Sequence, residues 1–304
     1  MKRSLFLSEL LLFITALIWG LSFVAQRKGM EFVGPFIFNG IRFALGSLSL
    51  LPLLFFYKRK KNRELNNHKP GISLLHGSFY AGIALFIGAT LQQIGIINTT
   101  AGNAGFITSL YVVFTPLIGL FFKHKPSKQV WAGVILATLG LYFLSVSGNF
   151  TVSSGDILVL LSAIFFAAHV LLIAWISPKF NVIKISIIQF SITSILSLII
   201  AIFYEEIIWE NIKSAAIPIL YGGIMAVGVA YTLQVIAQQK AKPSHTAIIL
   251  SFEALFAAIG GWLILNELFT SREVCGSILM LSGIITAQLK LKIRNVIFFR
   301  RTKK

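Results

Sequence analysis

Two charged residues stand inside long apolar runs of this 304-residue sequence, Arg42 and Glu253. Ionised groups are costly in an apolar medium, and those found there normally face a cavity or a partner. Glu253 suits the binding of a substrate amine or the carriage of a coupling proton; an ion pair with Arg42 is the structural alternative. His169 lies midway along another apolar run, where imidazole serves either as a proton relay or as a hydrogen-bonded filler. Gln92, Gln234 and Asn103 add amide groups, and Trp19, Tyr80, Tyr111 and Tyr231 add aromatic faces at mid-run positions. The candidate substrate-binding set is therefore Trp19, Tyr80, Gln92, Asn103, Tyr111, His169, Tyr231, Gln234 and Glu253, with Arg42 and Glu253 as the charges that couple or hold structure. Such groups bind and move a small molecule; they do not form a catalytic constellation.

The missing motifs support that. Aspartate occurs once, at Asp156, and cysteine once, at Cys275, so aspartate pairs, internal disulfides and cysteine zinc sites are excluded. No phosphate loop, His-Glu-x-x-His, Gly-x-Ser-x-Gly or dinucleotide fingerprint occurs. No metal, no cofactor and no enzymatic activity are expected, and any pumping draws on a gradient rather than on ATP bound by this chain. A lipid-modifying membrane enzyme would need several convergent groups near one interface, and the acids here fall on separate loops.

The elements that position these residues follow from composition. Hydrophobic residues make up 56% of the chain and charged ones 12%. Soluble domains carry roughly 25% charged residues, and a mean hydropathy of +0.84 leaves little polar surface to face water. A helix crosses ~30 Å of hydrocarbon with ~20 apolar residues. Ten such runs occur, at 8–26, 35–57, 73–97, 102–122, 130–146, 155–176, 182–204, 215–239, 244–265 and 274–289. Barrel-type alternation is absent. The first run is too long for a signal peptide, and Gln26-Arg27-Lys28 is a poor cleavage context. On the fourth run Asn103, Ile107, Tyr111 and Phe114 are expected to share one helix face. Arg42 lies ~10 Å from one end of its span and Glu253 ~14 Å from the opposite end of its own, so their levels differ by ~6 Å across ~30 Å of core.

The sequence carries 27 Lys plus Arg against 10 Asp plus Glu, a net +17. With the N-terminus inside, 22 of the basic residues fall in inner segments and 4 in outer ones. Glu31, Asp156, Glu205, Glu206, Glu210, Glu267 and Glu273 all fall outside. The positive-inside rule then places both termini in the cytoplasm. The basic runs read as topology signals and contacts to anionic lipids, not to nucleic acid.

The two halves align with each other. A shift of 142 lays Leu91-Gln92 on Leu233-Gln234, Ser109 on Ser251, Phe114 on Phe256 and Gly119 on Gly261. A shift of 143 lays Gly133 on Gly276, and one of 147 lays Trp19 on Phe166 and Ser22 on His169. Five spans per unit force the second copy to enter the membrane upside down, the inverted-repeat plan of many secondary transporters. The expected units are 1–148 and 149–304, the latter ending in a basic tail. Gln92 and Gln234, as repeat-related residues, are expected to converge.

Ile18-Trp19-Gly20, Ile41-Arg42-Phe43, Leu91-Gln92-Gln93, the stretch from Thr100 to Ile107, and Glu253 followed by Gly261-Trp262 and Asn266-Glu267 resemble the EamA-like members of the drug/metabolite transporter superfamily. Where that pattern often closes the fourth span with Gly-Glu, this sequence has His124-Lys125. The resemblance implies an all-α integral membrane protein of ten helices in two inverted five-helix repeats, working by alternating access on small metabolites such as amino acids or amines, with export across a bacterial inner membrane as the expected direction. A multidrug- or nucleoside-type carrier and a passive channel are the alternatives. The expected partners are a small-molecule substrate and the bilayer; oligomeric state is left open.

Overall fold

The structure, a computed structural model, describes residues 2–57, 72–119, 128–145, 153–241 and 243–288. It contains helices α1 (Lys2–Gly29), α2 (Pro35–Ser49), α3 (Leu51–Tyr57), α4 (Leu74–Gly95), α5 (Ala101–Thr108), α6 (Tyr111–Gly119), α7 (Lys128–Ser145) and α8 (Ser154–Ile176). There follow α9 (Val182–Tyr204), α10 (Trp209–Ser214), α11 (Ala216–Leu220), α12 (Thr232–Gln238), α13 (Pro243–Leu250), α14 (Glu253–Leu265) and α15 (Ser271–Gln288). A π-helical segment, Tyr221–Tyr231, joins α11 to α12 in one rod, and no strand occurs among the described residues. The basic stretch 58–69, Lys123, Lys125, Lys242, the tail 290–304 and the pair His124-Lys125 lie outside the described residues, and with them much of the charge bias.

Helix starts are written locally. Ser73, Thr100, Ser153 and Asn181 each accept a backbone N–H two or three residues on, the N-cap arrangement that satisfies first-turn donors. α2 instead begins with Pro35 after Gly34, where no side chain caps from within the segment.

Seven stretches among the described residues are long and apolar enough to cross a membrane: Phe6–Gly29, Pro35–Leu54, Leu74–Asn98, Ala101–Gly119, Ser154–Ile176, Val182–Tyr204 and Ala216–Gln238. They match the first four and the sixth to eighth expected spans. The other three expected spans are occupied by α7, by α13 with α14, and by α15. The break after α13 leaves α14 with 13 residues, and α15 opens with the charged pair Arg272-Glu273.

The surface polarity is inverted relative to a soluble fold. Leu268 (84%), Ile217 (82%) and Phe203 (78%) are exposed, whereas Gln93, Asn39, Gln189 and Thr193 are fully buried. Apolar exposure on this scale is unusual in water and normal against lipid. Inside, hydroxyls and amides bridge helices: Asn39 donates to the Ala89 carbonyl at 3.1 Å, Gln238 to Val170 at 3.1 Å and Ser194 to Gly40 at 2.8 Å. Such bonds glue helices where no hydrophobic drive separates protein from lipid. α1 packs on α14, and α5 and α6 on α8; α4 packs on α8, and α1 on the Ala216–Gln238 rod; α4 packs on α9, and α2 on that rod. α2 with α9, α5 with α14 and α7 with α15 complete the main pairings.

Candidate binding cavity

The expected fourth and ninth spans are both broken, at positions 142 residues apart. α5 ends before a turn at Ser109-Leu110 and α6 resumes at Tyr111; α13 ends before a turn at Ser251-Phe252 and α14 resumes at Glu253. The Ser109 hydroxyl reaches back to the Gly105 carbonyl at 2.9 Å and also lies 3.4 Å from the carbonyl of Ser251. The break sets the Glu253 carboxylate in the first turn of a half-helix, where the helix dipole favours negative charge. α1 comes close to this first turn because residue 20 is glycine. A Cβ there would overlap the Phe256 side chain and lie 2.8 Å from the Glu253 carbonyl oxygen. The Tyr111 side chain adjoins Glu253.

Arg42 is 4% exposed on α2. Its Nε donates to Asn39 Oδ1 at 2.9 Å, and Asn39 is itself fixed on α4 through Ala89. The guanidinium carbon lies 5.5 Å from the Phe38 ring centroid and 5.0 Å from that of Phe43. Stacking of this kind contributes ~0.5–2 kcal/mol, more as the cation is desolvated. The π-helical segment closes over the same stretch of α2: a Cβ at Gly223 would sit 3.0 Å from the Arg42 carbonyl oxygen. Arg42 and Glu253 do not pair. The ion pair among the described residues is Lys28–Glu31, at 2.6 Å.

Tyr231 is the hub of the aromatic groups. Its ring centroid lies 4.5 Å from Trp19, 5.9 Å from His169, 5.9 Å from Phe190 and 6.3 Å from Phe43. Trp19 Nε1 donates to the Ala226 carbonyl at 3.0 Å and the Thr15 hydroxyl to that of Ala230 at 3.3 Å. α1 thereby supplies donors to carbonyls of the π-helical segment; such departures from α geometry often sit at functional sites. His169 Nε2 lies 2.9 Å from Gln189 Oε1. Gln92 donates to the Thr108 hydroxyl at 3.0 Å.

These residues enclose a cavity of about 40 Å³. It is lined by Trp19, Arg42, Gln92, Tyr111, His169, Tyr231, Gln234 and Glu253, together with Ser22, Phe23, Gln26, Thr108, Phe166, Val170, Ala226 and Leu250. That volume admits a few waters at ~10–15 Å³ each, well short of the ~150 Å³ that takes up benzene. The walls are in place, but a metabolite requires them to part. A second, more open cavity of about 620 Å³ lies towards the end of the bundle that bears Glu267, lined among others by Arg27, Glu31, Asn103, Asp156, Glu267 and Glu273.

Eight of the ten residues singled out from sequence thus meet in one place, Gln92 and Gln234 among them. Tyr80 does not. It is 53% exposed on α4, its ring 6.1 Å from that of Phe79, on the lipid-facing side. Asn103 lines the larger cavity instead. A turn at Ser109-Leu110 lies between Asn103 and Tyr111. Ser22 and Phe166 were missed, although the repeat alignment matches them to His169 and Trp19. Gln26, one turn beyond Ser22 and bonded to it at 3.3 Å, carried no signal of its own beyond its position at a span end.

An all-helical bundle with an apolar exterior and a polar cavity lined by an arginine and a glutamate defines a multi-pass integral membrane protein. The chain belongs to the EamA-like transporter family, whose model matches residues 6–146 and again 153–287. It is 35% identical over 285 residues to an uncharacterized transporter of Archaeoglobus fulgidus, covering 93% of this chain and 86% of that protein. It is 24% identical to the uncharacterized transporter YoaV of Bacillus subtilis, covering 88% and 92%, and 27% identical to a WAT1-related protein of Arabidopsis thaliana, covering 87% and 84%. A crystal structure of another protein, at 15% identity, shares the fold with a TM-score of 0.69 over 92% of this chain and 96% of that one.

Proposed function

We propose that this transporter is a secondary active carrier for small amphipathic metabolites, amino acids or amines, and that it works by alternating access to the Arg42–Glu253 cavity. One observation carries the reading. An arginine and a glutamate line one buried cavity without pairing with each other. A buried charge left without a counter-charge is expensive; a ligand that brings an ammonium to Glu253 and an anionic or carbonyl group to Arg42 supplies both. The aromatic walls from Trp19, Phe166 and Tyr231 accept its apolar part. In an amine, Glu253 alone is engaged, and Glu253 is also the group that carries a coupling proton when the substrate leaves.

The ten-span plan in two inverted repeats, with units 1–148 and 149–304, belongs to the same reading. It is supported by the two successive matches to one family model and by the helix pairings, which keep the same pattern when each rod is exchanged for the one five places along. The matched breaks at Ser109-Leu110 and Ser251-Phe252 add to it. Discontinuous helices at the midplane are where inverted-repeat transporters hold their ligands. The charge bias orients the bundle with both termini in the cytoplasm of a bacterial cell and the outer face bearing Glu205 and Glu267; export is the proposed direction.

A thermal-shift screen of purified protein against amino acids, amines and nucleosides selects ligands, which are then tested by counterflow in proteoliposomes. Saturable counterflow of labelled substrate supports a carrier. Flux that rises without saturation marks a channel and contradicts the reading.

A further inference from the structure

Two carboxylates make the same kind of contact at one end of the bundle. Glu205, which ends α9, accepts the backbone N–H groups of Phe36 at 2.8 Å and Ile37 at 2.7 Å, in the first turn of α2. Glu267, just beyond α14, accepts those of Ala101 at 2.8 Å and Gly102 at 3.1 Å, in the first turn of α5. Charge-assisted pairs of this kind are stronger than neutral bonds and fix geometry. Each replaces or extends a local cap with one from the far half of the chain, 169 and 166 residues away in sequence. Both seats are built. A Cβ at Gly34 would overlap the Glu205 carboxylate, and one at Gly261 would overlap that of Glu267. Asn266 takes the left-handed conformation, φ 56°, as the chain turns out of α14 into Glu267, a conformation asparagine tolerates better than most residues.

The second clamp lies on the route between the two cavities. Glu267 and Asn103 line the larger one, and Thr108, five residues along α5 from Asn103, lines the central one. Five helical residues span ~7.5 Å. The barrier between the cavities is therefore about a turn and a half of α5, made largely of small residues (Ala101, Gly102, Ala104, Gly105), of which Gly105 packs against Ala254 and Ala257 of α14 and Gly102 against the Phe269 ring.

We propose that Glu205 and Glu267 are paired latches of a gate: they hold α2 and α5 of the first half against the second half, seal the larger cavity from the central one, and release when the central cavity opens to that side. This rests on the alternating-access reading above. The test uses the full chain with Cys275→Ser as background and Ser22→Cys as a reporter in the central cavity, in vesicles of either orientation. The probe is a membrane-impermeant maleimide. With the wild-type latches, labelling is expected to be slow from the side bearing Glu205 and faster from the other. In the double variant Glu205→Gln/Glu267→Gln, labelling from the Glu205 side is expected to rise at least about tenfold, with a matching fall from the opposite side, as for a two-state shift of the population. Gly34→Ala and Gly261→Ala displace the carboxylates without removing their charge. They are expected to act in the same direction and serve if the double variant fails to reach the membrane. Unchanged labelling rates in both sets, with the side preference of the parent intact, overturn the latches alone. A reporter labelled equally from both sides, or from neither, overturns alternating access and the latches together.

Discussion

Tyr111 and Glu253 occupy the same place in the two halves of the chain. Each is the first residue of a helix that resumes after a two-residue turn, they are separated by the repeat shift of 142, and their side chains adjoin in the wall of the central cavity. A tyrosine stands in one half where the other has a glutamate, and in the proposed mechanism that glutamate is the group that meets the ligand. Glu253→Gln keeps the shape and removes the charge. Accumulation of substrate driven by a pH gradient is expected to vanish, while counterflow of a ligand with no amine persists. Uptake assays with and without the gradient check this; gradient-driven accumulation at the wild-type level would remove Glu253 from the mechanism.

Arg42 is held by geometry that lysine cannot copy. Its Nε bond to Asn39 and its stacking on Phe38 and Phe43 need a planar guanidinium. Arg42→Lys is expected to raise KM about tenfold, corresponding to ~1.4 kcal/mol, for substrates with an anionic group and to leave simple amines nearly unaffected. Asn39→Ala acts through Arg42 and should show the same split in smaller measure. KM series for the two substrate types in proteoliposomes decide it, and an equal loss for both types contradicts an anion-binding role.

Trp19 does two things that can be separated. Its ring stacks near Tyr231, and its Nε1–H satisfies the Ala226 carbonyl of the π-helical segment. Trp19→Phe retains an aromatic face but removes that hydrogen bond, a loss of ~0.5–1.5 kcal/mol. The apparent Tm in detergent is expected to drop by several degrees, with ligand protection retained in the stabilised protein. An unchanged Tm would mean that the carbonyl finds another donor.

Tyr80 and Tyr231 make a matched control. Both are mid-span tyrosines, yet one faces lipid and the other is the hub of the cavity. Tyr80→Leu is expected to leave uptake within about twofold of wild type, the scale of an ordinary surface change. Tyr231→Leu is expected to lower it by at least tenfold, or ~1.4 kcal/mol. Parallel uptake measurements on the two variants test the arrangement of the site.

That contrast also shows what the sequence can and cannot disclose. The apolar runs are legible because lipid imposes a length and a hydrophobicity, and the charged pair is legible because Arg42 and Glu253 stand out in such runs. Which face of a helix a residue occupies is harder to read. When lipid and core are both apolar, the helical period of hydrophobicity fades, and Tyr80 reads the same as Tyr231. The breaks at Ser109-Leu110 and Ser251-Phe252 contain neither proline nor glycine, so no residue announces them. Asn103, which precedes the first break, lines the larger cavity. The π-helical segment shows in the sequence only as Gly222, Gly223 and Gly228, not as a change of hydrogen bonding. Glu205 and Glu267 read as loop acids because their partners are backbone groups more than 160 residues away.

The most direct test of the central claim is saturable counterflow of a thermal-shift-selected ligand bearing both an amine and an anionic group, in proteoliposomes of the wild type, Arg42→Ala and Glu253→Gln. The account predicts saturable counterflow in the wild type and its loss, with folding retained, in both variants. Wild-type counterflow that survives both substitutions unchanged would contradict it.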